Sequence, residues 1–176
     1  DVTGGWYDAG DYGKYVVNGG ISVWTLANIY ERAVANGFAD KYGDSTLTMP
    51  EAGNKIPDIL DECKYEMDFF LKMMVQEGSN KGMVYHKMHD FKWTGLAVSP
   101  KDSTDLSNGK DPDKGTLYRI IKPASTAATL NLSATAAQMS RLIEKFDSDY
   151  AKELIEAAKT TYEAAKKNPD VAAPLD

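Results

Sequence analysis

Apolar residues recur every three to four positions in four separate segments of this chain. That periodicity, more than any other feature, restricts the fold to amphipathic helices packed face to face. In the first segment Ile21, Trp24, Ala27, Tyr30 and Val34 keep the interval, Asn28 and Glu31 lie off the stripe, and Gly37 follows as a stop. In the second, Ile56-Pro57-Asp58 opens a helix with Pro57 in its first turn and Asp58, Asp61 and Glu62 near the positive end of its dipole. Its stripe runs Ile59, Leu60, Cys63, Met67, Phe70, Leu71 and Met74, and Gly78 closes it. The third runs from about Pro123 to Phe146 with Ala127, Leu130, Ala134, Ala137, Leu142 and Ile143, and its many Ala, Ser and Thr residues predict close approach to a neighbouring helix. The fourth, from about Asp149 to Lys167, carries Tyr150, Leu154, Ala157, Ala158, Thr161, Tyr162 and Ala165, with Lys166 and Lys167 at the negative end and Asn168-Pro169 beyond. Segments 38–55 and 79–122 show no helical period. Within the latter, Gly82-Met83-Val84-Tyr85-His86-Lys87-Met88-His89 alternates weakly, as a short extended segment does. The pattern predicts one all-α domain over residues 1–176 with very little sheet, and the lack of a fixed-period repeat disfavours a solenoid.

Ahead of the first helix stands Gly4-Gly5-Trp6-Tyr7-Asp8-Ala9-Gly10-Asp11-Tyr12-Gly13-Lys14-Tyr15, a stretch that packing alone does not explain. Its four glycines permit tight turns and close approach to a ligand. They place Asp8 and Asp11 on a fixed loop where both carboxylates aim at one point. Such a pair suits acid/base work on water, one group taking the proton while the other holds the water or tunes its partner. Trp6, Tyr7, Tyr12 and Tyr15 suit the faces of sugar rings. The competing reading makes Asp8 and Asp11 turn and N-cap residues of a helix starting near Val17.

A formal charge of −6 and a pI near 5.0, with no basic block, argue against nucleic acid or an anionic membrane as partner and favour a neutral or polymeric substrate. No apolar run reaches the roughly 18 residues of a membrane span. The single Cys63 excludes an internal disulfide and, lying on the second apolar stripe, reads as a small buried hydrophobe. The chain begins at Asp1 without an initiator Met or a signal peptide, so upstream residues are expected to have been removed.

Other chemical candidates are few. His86 and His89, three residues apart, lack the further ligands a zinc site needs nearby, and no metal role is assigned to them. With Tyr85 and Trp93 they fit a sugar-binding cleft better. The acidic loop Lys101 to Gly115 invites a calcium reading, yet from Asp105 or Asp111 neither the glycine at the sixth place nor the glutamate at the twelfth is found. Glu62, Glu66, Glu144 and Glu153 read as helix-surface or capping residues.

Gly4 to Val16 with Asn18-Gly19-Gly20, Trp24 and Leu26 closely resembles the N-terminal catalytic signature of glycoside hydrolase family 9, the inverting cellulases, most like its clostridial type. Ile56-Pro57-Asp58-Ile59-Leu60-Asp61-Glu62, Gly82-Met83-Val84-Tyr85-His86-Lys87 and Pro123-Ala124-Ser125-Thr126-Ala127-Ala128 follow in the right order. The resemblance implies an (α/α)6 barrel of inner and outer helices, of which this chain supplies an N-terminal portion of about four helices. It further implies a secreted endo-β-1,4-glucanase acting on cellulose or cello-oligosaccharides, with Asp11 as general base and Asp8 holding the attacking water. Tyr12, His89 and Trp93 are implied to contact substrate. Members of the family often bind calcium, but no ligand set for it is matched here, and no cofactor is assigned. The family's acid, a glutamate far towards the C-terminus, has no match in these residues, so the isolated piece is expected to be nearly inactive. It is also expected to need the missing half of the barrel or to self-associate. A non-catalytic carbohydrate-binding or interaction module, or another glycosidase on the same barrel, stands as the alternative.

Overall fold

The computed structural model describes residues 2–10, 12–90 and 119–173. Among the described residues four α-helices carry the fold: α1 (Val16–Ala35), α2 (Asp58–Lys72), α3 (Thr126–Ile143) and α4 (Ser148–Lys167). The same residues include five short strands: β1 (Lys14–Tyr15), β2 (Val84–Tyr85), β3 (Lys87–Asp90), β4 (Arg119–Ile121) and β5 (Ala124–Ser125). They form a β1-β3-β4 sheet and a β2-β5 pair, both antiparallel. The expected all-α architecture with little sheet is what the chain adopts. Among the described residues, no helix is long and apolar enough to cross a membrane.

One core joins the helices. Val16, Val23 and Ala27 of α1, Leu60, Cys63, Met67 and Phe70 of α2, Leu132, Ala136, Met139 and Ile143 of α3, and Leu154 of α4 are fully buried in it. The small polar residues of α3 do what their size predicted. Ser133 and Ser140 donate their hydroxyls to the Ala158 and Ala151 carbonyls of α4, at 2.9 and 2.8 Å, which requires the two backbones to lie close together.

Three expectations need correction. In α1 the buried face is Val16, Gly20, Val23, Ala27, Tyr30 and Ala33, while Ile21, Trp24 and Val34 are 58, 50 and 47% exposed. This helix is apolar on two sides, and only one of them meets α2 and α3. In α3 the buried set is Ala128, Leu132, Ala136, Met139 and Ile143, whereas Leu130, Ala127 and Ala134 are exposed, again because apolar residues occupy both sides. Finally, α2 ends at Lys72, well before Gly78, and α3 begins at Thr126, after Pro123. Extended pairing takes over at both places. The Met73 carbonyl accepts from the Tyr85 amide at 3.0 Å, the Val75 amide donates to Met83 at 2.8 Å, and Ala124–Ser125 pairs with Val84–Tyr85.

Two carboxylates organise the loop before α2. Asp58, fully buried, accepts from the Ser45 amide at 2.9 Å and the Leu47 amide at 2.5 Å. Asp44 accepts from the Gly53 and Lys55 amides at 2.6 and 2.7 Å, and these bonds hold its carboxyl below the usual range. The register of the larger sheet positions the glycine-rich loop. Lys14 stands opposite Met88 and Tyr15 opposite Lys87, while Asp90 stands opposite Arg119, so β1 delivers that loop beside His89, Asp90 and Arg119.

Candidate active site

The loop from Gly4 to Gly13 is held from beneath by α2. Gly5 has φ +74°, and a β-carbon there would stand 2.6 Å from the Phe69 ring, so the backbone lies directly on that aromatic face. The Trp6 amide donates to Glu66 Oε2 at 2.6 Å, and the Trp6 indole N–H donates to Glu62 Oε1 at 2.7 Å. The Lys14 ammonium donates to the Gly4 carbonyl and stands 4.8 Å above the Tyr7 ring. The loop then closes on itself, with the Asp8 amide donating to the Gly13 carbonyl at 2.8 Å and the Tyr12 amide to the Ala9 carbonyl at 3.3 Å. Tyr12 takes φ +55°, and its ring meets that of Tyr7 edge-on at 5.1 Å.

Asp8 emerges from this turn into a cavity of ≈ 100 Å³ lined by Trp6, Tyr7, Asp8, Tyr15, Asn18 and Ser22. Its Oδ1 accepts from the Asn18 side-chain amide at 2.9 Å, from the first turn of α1. One carboxylate oxygen is thus fixed by a neutral donor in an aromatic-walled cavity, an arrangement suited to holding a water or a sugar hydroxyl. Asp11 lies outside the described residues, as does Trp93.

Tyr12 and His89 belong to the same neighbourhood by a chain of contacts rather than by lining that cavity. Arg119 donates from Nη2 to the Tyr12 carbonyl at 2.7 Å and pairs through Nη1 with Asp90 Oδ1 at 3.2 Å. His89, 4% exposed on β3, places Nδ1 2.6 Å from the Asp90 carbonyl, an acceptor that fixes the proton on that nitrogen. His86, the other member of the sequence pair, is engaged elsewhere, with Nδ1 3.0 Å from Ser125 Oγ. Among the described residues no group of three His, Cys, Asp or Glu side chains converges to hold a metal ion. The acidic segment around Asp105 and Asp111 lies outside them.

Glu66 departs from its sequence reading. It is 1% exposed rather than a surface residue, and burial pushes its carboxyl up to about 7 against the pull of the Trp6 amide and Lys14, with Glu62 adding to the rise. The signal was present in the spacing, because residue 66 falls three and four positions from Cys63 and Phe70, on the same apolar stripe. Burial likewise lowers Lys14 from its ordinary value, helped by Arg119. Asn18 and Arg119 carried no such signal, since each acts through the tertiary position of its element.

The family model for glycosyl hydrolase family 9 matches residues 1–174. Endoglucanase C of Cellulomonas fimi is 53% identical over 174 residues, covering 99% of this chain and 15% of that protein. A cellulose 1,4-beta-cellobiosidase of Acetivibrio thermocellus is 49% identical, covering 97% and 18%. Among solved structures, a metagenome-derived glycoside hydrolase family 9 endoglucanase superposes with a TM-score of 0.79 at 28% identity, over 99% of this chain and 27% of that one. The chain therefore spans less than a third of the length of these relatives.

Proposed function

We infer that this chain, which belongs to glycosyl hydrolase family 9, carries the water-activating half of an inverting endo-β-1,4-glucanase. The observation that carries the reading is Asp8, presented by a glycine turn into an aromatic-lined cavity with Oδ1 held by Asn18. In this mechanism Asp11, three residues on, is the general base that takes a proton from water, and Asp8 holds that water in line with the anomeric carbon. Inversion needs a second carboxyl group, the acid, about 6.5–9.5 Å from the base. Asp8 and Asp11 both serve the attacking water in this reading, so a glutamate outside these residues protonates the leaving oxygen. Tyr12, His89 and Trp93 contact the glucan, and the substrate is cellulose or a cello-oligosaccharide in the extracellular space.

The exposed apolar residues Ile21 and Trp24 of α1 and Leu130 of α3, 58, 50 and 42% exposed, support the view that further barrel helices cover them. Alone, the chain self-associates through such uncovered residues. Carboxymethylcellulose hydrolysis by the isolated 176 residues tests the reading. The expected result is no turnover, and turnover abolished by Asp11→Ala would overturn the division of the two carboxyl groups. Calorimetry with cellohexaose adds a second arm. Binding weakened by Asp8→Asn supports the site, whereas binding indifferent to Asp8→Asn and Asp11→Asn but lost in Trp93→Ala would make this a binding module.

A further inference from the structure

We propose that Glu66 is a positioning residue for the Asp8 loop, and that the loop shifts when this buried carboxyl group gains or loses its proton. The role rests on reading Asp8 as part of the catalytic apparatus, but the geometry stands on its own. Trp6 is two residues from Asp8, and both of its N–H groups end on carboxylates of α2, the amide on Glu66 at 2.6 Å and the indole on Glu62 at 2.7 Å. Residues 62 and 66 are one turn apart and share a helix face, so Trp6 is gripped at two points by one rigid element. Phe69 fills the space under Gly5, which removes any slack on the other side.

The cavity wall opposite is built around the same carboxyl group. Gly19 of α1 lines the Asp8 cavity, and a β-carbon at that position would overlap the Glu66 carboxylate. The carboxyl thus sits between α1 and α2 immediately behind the cavity, touching both the helix that carries Asn18 and the loop that carries Asp8.

Its charge is set by groups from each neighbouring element. Glu62 of α2 repels the ionised form, Lys14 of β1 stabilises it, Arg119 of β4 and Lys72 of α2 act on Lys14, and Gly19 of α1 brings no charge. Ionised, Glu66 offers the Trp6 amide a charge-assisted bond and draws in Lys14 while opposing Glu62. Protonated, it is a weaker acceptor and frees Glu62 from that repulsion. Trp6, held between the two carboxyl groups, moves with the balance. Burial puts the change near pH 7.

The test uses the ¹⁵N- and ¹³C-labelled chain without substrate, at a dilution where sedimentation shows a single species across the pH range, so an inactive loop would leave its outcome intact. Resonances of the Trp6 amide, the Trp6 indole and the Asn18 side-chain amide are followed from about pH 5 to about pH 9. All three are expected to move with one midpoint near 7, shared by the Glu66 carboxyl carbon, and to lose that step in Glu66→Gln. A merely structural Glu66 would leave no such pH profile. Flat curves, or the same titration in Glu66→Gln, would overturn the proposal. Should Glu66→Gln not fold, the parent decides alone, since a Glu66 carbon midpoint different from that of Trp6 also overturns it.

Discussion

Substituting Gly19 by alanine sets two opposing effects against each other at one atom. In a helix interior the change ordinarily stabilises by roughly 1 kcal/mol, because glycine loses more backbone entropy on folding. Here the new β-carbon falls on the Glu66 carboxylate and lies 3.1 Å from the tip of the Phe70 ring. To clear it, Glu66 must leave the Trp6 amide, forfeiting a bond to a charged group worth about 1.5–3 kcal/mol, and the packed α1–α2 contact must open at a further cost of about 1–3 kcal/mol. The net expectation is destabilisation by about 1.5–5 kcal/mol. In a Glu66→Ala background the overlap is gone and only the 3.1 Å approach to Phe70 remains, which the ring relieves by a small shift into the space left by the carboxylate, so the same substitution should be neutral or stabilising by up to about 1 kcal/mol. Urea denaturation of the four proteins at about pH 8 measures the coupling. If Gly19→Ala stabilised the parent, or had the same effect in both backgrounds, the account of why glycine stands there would be refuted.

The folded Glu66 carboxyl at about 7 lies above its ordinary 4.5, so the folded state holds a proton the unfolded chain has released. Stability from this group is full below about pH 4.5 and lost as pH rises through 7, by about 3 kcal/mol at most. Asp61, pushed up to about 6 by burial, acts in the same direction, so the difference between parent and Glu66→Gln isolates Glu66, and a difference equal at about pH 5 and about pH 8 would contradict the shift. Asp58→Ala strands the Ser45 and Leu47 amides and should cost about 2–4 kcal/mol, with faster hydrogen exchange at both; unchanged protection there would count against the role of Asp58. Ser125→Ala removes the oxygen that accepts the Ala128 amide at 3.2 Å at the start of α3 and lies 3.0 Å from His86 Nδ1, and should cost about 1–3 kcal/mol, each kcal/mol lowering Tm by about 2–4 °C by calorimetry.

Much of this is legible in the sequence. The period of the apolar residues located all four helices, and the glycine-flanked Asp8 marked the cavity, because both signals are local. What failed was non-local. Ile21 and Val23 are equally apolar, and nothing in α1 itself says that neighbours cover the face of Val23 and leave Ile21 exposed. The early end of α2 was hidden for the same reason, since Met73–Val75 leaves the helix for partners at Met83 and Tyr85. Arg119, distant in sequence from Tyr12, reaches its carbonyl only because β4 lies beside β3.

That last arrangement makes Arg119 a clasp between two parts of the molecule. Asp90 and Arg119 stand opposite each other in the ladder and are joined by an ion pair through Nη1. The other nitrogen of the same guanidinium, Nη2, holds the Tyr12 carbonyl. A planar fork serves both acceptors at fixed geometry, which a lysine ammonium does not reproduce. Ladder and turn are therefore coupled through one side chain, and a change at position 119 is felt by both at once.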